Sequence, residues 1–387
     1  MKEQNSDDHT ILSACGDGVL ARNCRNGSKR KTYSSIKGLW TLASLILLVA
    51  TICFPSSLAP AQVQKKIPQA PAPTSKEAQS VDEDEVIRVA TSEVLLPVTV
   101  RDPGGALVPA LTRKDFRVWE DGREQPLSDL ALRQVPVDVA LMVDSSSSAA
   151  ASLDDFRRAV EEFAVRLAPD DRLSLLKFDD RVEVLQDWTR SRVQLRRALG
   201  RVTPGVFTRF NDALYLAARE QFAKGRQRRR AVVVLTDGID SGRGYASVES
   251  ALRALLEAQA AVYVISNTEI ERARKRSELD TLLSGGDSAV RFNQLRIGDL
   301  REGLRVLDLS ERNLEQVTRA TGGRLYKPKD FGALDSVYTE VAEELRSQYA
   351  LYYTPLNTTR DGQFRRVRVE TADPALRVTA RVGYYAP

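Results

Sequence analysis

Histidine occurs once in the 387 residues and cysteine three times. His9, Cys15, Cys24 and Cys53 all precede residue 62. A chain cut after Ala61 would hold neither residue type. That excludes a Ser-His-Asp triad, a cysteine nucleophile, a His/Cys zinc site and any disulfide. Metals held by oxygen ligands are not excluded. An excess of one charge is also lacking. There are 57 basic and 52 acidic residues, a net +5; without the seven basic and four acidic residues of 1–61, 50 and 48 are left, a net +2. Such a balance is weak ground for a nucleic-acid surface, and no nucleic-acid partner is expected. Hydrophobic residues make up 42% and charged residues 28%, as in soluble globular proteins. The length suits two to three domains of about 100–200 residues each, enough to bury a core without staples.

One long uncharged apolar run is present, LWTLASLILLVATICF at 39–54, preceded by Lys29, Arg30, Lys31 and Lys37. It is followed by Ala59-Pro60-Ala61. A basic stretch, an apolar stretch and an A-x-A site form a secretory signal peptide, so 1–61 is expected to be removed after Ala61. If uncleaved, the same segment is the chain's contact with a membrane, although it is short for a span of about 20 residues. Either way the remainder is expected to be exported: periplasmic, at the cell surface or secreted. Residues 62–85, rich in Pro, Ala, Gln and charge, read as a flexible linker.

From 86 to 134 the pattern is β. Val94, Leu96, Val98 and Val100 share one face, and Asp121-Gly122 follows the strand Phe116–Glu120 as a hairpin turn. Residues 351–387 repeat the pattern, with Val367 and Val369 and then Val378, Ala380 and Val382 alternating. Neither segment has enough strands for a core of its own. The two are expected to pack together as a small β-sandwich flanking the middle of the chain.

Residues 135–350 alternate strands and helices. Val137–Val143 and Ala231–Leu235 are apolar runs, as in strands covered on both faces. Leu153, Phe156, Val160, Phe163 and Leu167 recur at helical spacing, as do Phe331, Leu334, Val337, Val341, Leu345 and Tyr349. Asn211–Phe222, Val248–Ala258 and Leu314–Thr321 are further expected helices. The fold class is α/β, a doubly wound and mostly parallel sheet. In such sheets ligands bind beyond the carboxyl ends of the strands.

Three motifs sit at those ends. Asp144-Ser145-Ser146-Ser147-Ser148 follows one strand, Thr208 precedes the helix with Asp212-Ala213-Leu214, and Thr236-Asp237-Gly238 follows another strand. Alone, the first is also a serine-rich helix cap and the last a common strand-to-turn ending. Converged, Asp144, Ser146, Ser148, Thr208 and Asp237 supply two carboxylates and three hydroxyls. All are oxygen donors, which suit Mg²⁺, Mn²⁺ or Ca²⁺ and not zinc. So few acidic ligands leave a coordination position open to an external carboxylate.

D-x-S-x-S, a Thr before D-A-L, and T-D-G together resemble the metal-ion-dependent adhesion site of von Willebrand factor type A domains, over about 135–350. The flanks VTVRDPGGALVPALTRKDFRVWEDG and YALYYTP…RVGYYAP are similar to the ends of the VWFA-related acidobacterial domain family. The resemblance implies exported proteins, mostly without an assigned activity. It also implies direct metal contacts from Ser146, Ser148 and Thr208, with Asp144 and Asp237 acting directly or through water. One departure stands out. Phe207, Arg209 and Phe210 surround Thr208 where the family has small residues, and an inward-pointing Arg209 would compete with a cation.

The expected function is a non-enzymatic, adhesion-type binding module whose divalent cation engages an Asp or Glu of a partner protein. Two alternatives stay open: an envelope scaffold whose metal site is vestigial, and a metal-dependent hydrolase, for which no general base is evident near the motifs. Residues 267–310 form a long charged insert near the metal face, either a specificity cap, an exposed helical insert or a mobile loop. Gln227-Arg228-Arg229-Arg230 reads as a solvated loop at the opposite end of its strand.

Overall fold

Side chains alternating across a strand place Val94, Leu96, Val98 and Val100 on one buried face of β1 (Val94–Arg101). This is a computed structural model, describing residues 93–132, 135–146, 153–223 and 228–386. The expected signal segment, the linker, residues 86–92 and Pro387 lie outside the described residues. Among those described, no helix is long and apolar enough to cross a membrane.

Strands β2 (Phe116–Glu120) and β3 (Arg123–Gln125) form the hairpin expected at Asp121-Gly122. Both turn residues have positive φ, 47° and 81°, the conformation of the two-residue turn that matches strand twist. Strand β4 (Leu127–Leu132) follows.

The central layer begins at β5 (Val137–Asp144), buried along its whole length. In chain order come α1 (Leu153–Arg166), β6 (Arg172–Phe178), β7 (Val182–Thr189), α2 (Arg192–Leu199) and α3 (Phe210–Leu216), which runs into a π-helical turn at Ala217–Gln221. Then follow β8 (Arg229–Thr236), α4 (Val248–Ala258), β9 (Ala260–Ser266), α5 (Thr268–Leu283), α6 (Gly286–Phe292), α7 (Gln294–Thr321), β10 (Leu325–Tyr326) and α8 (Leu334–Ser347). The sheet order is β10-β9-β8-β5-β6-β7, with β7 antiparallel to β6 and the other pairs parallel. Val139, Leu141 and Val143 face α1, α2 and α8, while Ala140 and Met142 face α3, α4 and α7. This is the doubly wound sheet expected. Burial of each such side chain contributes about 1.5–3 kcal/mol.

The chain then returns to the flank with β11 (Tyr349–Tyr353), β12 (Phe364–Thr371), β13 (Arg377–Thr379) and β14 (Gly383–Tyr385). One sheet runs β13-β1-β11-β4 and the other β14-β12-β2-β3. Early and late strands interleave in both, over a shared core that includes Leu96, Val98, Val118, Leu351 and Val367.

Three local readings are corrected. The last helix stops at Ser347, because Gln348 turns extended (ψ 136°) and Tyr349 instead buries its ring in the sandwich against Phe116. The helix expected at Leu314–Thr321 is only the end of α7, which begins at Gln294, and of the readings left open for 267–310 the helical one is found, as α5, α6 and the first part of α7. The basic cluster is not a solvated loop: Arg229 and Arg230 are the buried first residues of β8. Arg228 Nε donates to buried Asp138 at 2.6 Å, and Arg172 donates to the same carboxylate at 2.9 and 2.5 Å. Gln227 lies outside the described residues.

A buried carboxylate joins sandwich to sheet. Glu344 on α8 pairs with Arg101 of β1 at 2.5 Å and accepts from Tyr326 of β10 at 3.2 Å and Thr99 at 3.3 Å.

Candidate functional site

Parallel pairing of β5 with β8 sets Val143 beside Leu235, so both strands end at the same level. Asp144 closes β5 and Thr236 closes β8. The Thr236 hydroxyl donates to Asp144 Oδ2 at 2.7 Å and itself accepts from Gly238 N at 2.9 Å. Asp144 Oδ1 accepts from Ser146 N at 3.0 Å. The next residue after Thr236 is Asp237, whose Oδ1 accepts from Ile239 N at 3.0 Å.

Two more loops are tied to these ends. Gly205 N donates to Ser145 O at 2.7 Å. A Cβ at Gly205 would lie 2.5 Å from Asp179 Cβ, so this approach requires glycine. The Asp180 carboxylate accepts from Phe207 N at 3.1 Å, which fixes the stretch just before Thr208. Ser241 then donates twice to Thr208 O, from N at 2.9 Å and Oγ at 2.7 Å. Gly238, at φ +68°, lies against Leu314, where a Cβ would meet the side chain at 2.7 Å. The Ser310 hydroxyl of α7 donates to Asp237 O at 2.5 Å.

Asp144, Ser146, Thr208 and Asp237 are therefore all buried at one end of the sheet, on loops bound to one another. Ser148, the fifth expected ligand, lies outside the described residues. Arg209 is turned to Asp212, 3.8 Å away in the next helical turn. Asp212 Oδ1 in turn accepts from Tyr245 N and Ala246 N.

The electrostatics favour a cation. Burial pushes the Asp144 carboxyl above the ordinary carboxylate range; the hydrogen bonds from Ser146 and Thr236 oppose this, and nearby Asp179 adds to it. Among the described residues, no lysine or arginine forms an ion pair with Asp144. Asp179 differs. Burial raises its carboxyl, but Lys177 Nζ at 2.8 Å, with hydrogen bonds from Arg181 and Ser145, holds it below its usual value. A buried carboxylate lacking a positive partner is costly. The set of carboxylate and hydroxyl oxygens fits a hard divalent cation. Among the described residues no cluster of three or more His, Cys, Asp or Glu exists to hold a metal otherwise.

Asp179 and Asp180 are contributors that the sequence motifs do not include, and Ser145 and Thr236 are motif members with roles beyond the expected ligand set. Thr236 belongs to the T-D-G motif, and Asp179-Asp180 directly follows a strand of the same sheet. Position at strand ends was the signal available for both.

Residues 139–239, from β5 to just past Asp237, match the family model of the von Willebrand factor type A domain. The chain contains a von Willebrand factor type A domain. Such domains serve as protein-interaction modules. Solved structures resemble the chain at low identity. Proximal thread matrix protein 1 from the mussel byssus is 16% identical, with 58% of this chain and 50% of that one covered at a TM-score of 0.40. A von Willebrand factor type A protein from Catenulispora acidiphila is 13% identical, covering 66% and 50% at 0.40. BatB from Bacteroides thetaiotaomicron is 18% identical, covering 54% and 99% at 0.38. The chain thus spans about half the length of the first two. The mussel protein has also been solved with zinc in its MIDAS motif. No curated protein matches the chain.

Proposed function

We propose that Asp144, Ser146, Ser148, Thr208 and Asp237 hold one divalent cation, Mg²⁺ or in its place Mn²⁺ or Ca²⁺, and that the cation binds an Asp or Glu side chain of a partner protein. Buried Asp144, without a positive partner among the described residues, is the observation that carries this reading. A cation there offsets the buried charge. Two carboxylates balance its charge without exceeding it, and the neutral hydroxyls add none, so an incoming carboxylate is drawn by the open coordination position and not repelled by a surplus of negative ligands. The cation supplies Lewis acidity. The protein's part is to fix its ligands: Thr236 orients Asp144, Ser241 holds the Thr208 loop, and Ser310 holds the Asp237 backbone.

The domain is in this reading not an enzyme. No histidine or cysteine follows residue 61, which supports a binding role over nucleophilic or imidazole-based catalysis. Arg209, whose inward turn would favour a vestigial site, lies 3.8 Å from Asp212, which supports the cation reading over an inert scaffold. The segment 39–54 supports export to the periplasm, cell surface or medium.

Calorimetric titration of the full chain with Mg²⁺, Mn²⁺, Ca²⁺ and Zn²⁺ tests the metal assignment, with Asp144→Ala as control. Binding lost in the variant supports it; no binding by the wild type sinks it.

A further inference from the structure

At the opposite end of β8 from Asp237 lies a cleft of about 370 Å³. Its walls are the π-helical turn after α3, the C-terminal half of α4, and the sandwich at Gly362 and Tyr385-Ala386. Clefts of this size between packed modules are common ligand sites, and π-helical turns recur at functional sites.

Three arginines and one carboxylate line the cleft. Arg219 pairs with Glu257 Oε2 at 2.7 Å and Arg253 Nε with Glu257 Oε1 at 2.9 Å. Arg230, 7% exposed, enters from the start of β8 and is anchored there by Nη1 donating to Ala258 O at 2.7 Å, so it contributes chiefly charge. Arg253 lies over the Tyr385 ring at 4.7 Å and Arg230 over Phe222 at 5.8 Å, which orients their guanidinium planes. Among the described residues that line this partly enclosed space, three arginines stand against one carboxylate. Arg253 donates only through Nε among the described residues, so its terminal N–H groups remain for a ligand. Arginine forks match the oxygens of phosphate and carboxylate.

We infer that this cleft binds a small oxyanion ligand, a phosphorylated or carboxylated molecule, between Arg219, Arg230 and Arg253. The anion takes donors that Glu257 leaves over. Glu257 is the local competitor and limits affinity. This site is separate from the metal site and does not depend on it.

The test is calorimetry on the full chain in metal-stripped buffer, with inorganic phosphate in one arm and citrate in the other. Saturable binding that weakens with salt is the expected result. The double variant Arg219→Gln/Arg253→Gln, at two half-exposed positions, should bind at least tenfold more weakly. Glu257→Gln should bind roughly threefold more tightly, because a repelling carboxylate is gone. Binding of phosphate alone points to a phosphate ester, and of citrate alone to a polycarboxylate. No binding by the wild type overturns the inference, as does equal affinity in all three proteins. Circular dichroism shows whether the variants are folded. A residue cluster that only clamps α4 to the sandwich gives neither the phosphate response nor the gain in Glu257→Gln.

Discussion

Replacing Asp144 by Asn separates what the carboxylate does for the fold from what it does for a cation. Asn keeps the shape and the acceptor for Ser146 N, and removes the charge. In the metal-free protein the balance of burial and hydrogen bonds at this position goes against the charged form. The neutral side chain should therefore stabilise the metal-free protein at neutral pH, by about 1–2 kcal/mol on the scale of buried-ion replacements. At roughly 2–4 °C per kcal/mol, that is a rise of a few degrees in Tm. The pH dependence follows from the sign of the shift. A carboxyl raised in the folded state contributes stability that is complete below its unfolded value and lost as pH rises through its folded value. The advantage of Asp144→Asn should thus grow with pH across that window and vanish in acid. Saturating Mg²⁺ inverts the order. At 100 times Kd it adds about 2.7 kcal/mol to the wild type and little to the variant, because the metal takes the deprotonated carboxylate. Thermal melts of both proteins, with and without Mg²⁺ from acid to neutral pH, check this. Parallel curves with no crossing would refute the reasoning, as would a metal-free variant less stable than the wild type at neutral pH.

Thr236→Val should cost about 1–3 kcal/mol by leaving Gly238 N without its acceptor, and should also weaken metal binding, since Asp144 loses a fixing donor; denaturant melts and metal titration read the two effects. Gly205→Ala puts a methyl 2.5 Å from Asp179 Cβ and should cost about 1–3 kcal/mol while displacing the Thr208 loop, seen as weaker Mn²⁺ binding. Glu344→Ala leaves Arg101 without its buried partner and should lower stability by about 3–5 kcal/mol in a urea melt, with the metal affinity of the folded protein unchanged.

Much of the fold was legible because burial on two faces writes itself into the strands. The unbroken apolar runs of β5 and β8 marked the centre of the sheet, and β1 announced its sandwich face by strict alternation. Motif residues at the ends of β5 and β8 fell together because parallel pairing ends both strands at one level. Other features depend on partners distant in sequence. Tyr349 continues the helical spacing of α8, yet it lies in β11 because the sandwich core takes its ring. Arg228–Arg230 read as a surface run, since nothing local reveals that Asp138 and the carbonyl of Ala258 receive two of these guanidinium groups. The roles of Asp179 and Asp180 rest on Ser145 and the 205–207 loop, contacts that no sequence spacing encodes. Helix α2 escaped notice because its eight residues carry only three buried side chains.

The most direct measurement of the central claim is titration of the full chain with Mn²⁺, followed by the free-ion electron paramagnetic resonance signal. The metal-site assignment predicts that one Mn²⁺ per chain is taken up and displaced by Mg²⁺, and that Asp144→Ala and Asp237→Ala take up none. A free-ion signal that rises from the first addition in the wild type, or uptake unchanged in both variants, would contradict it.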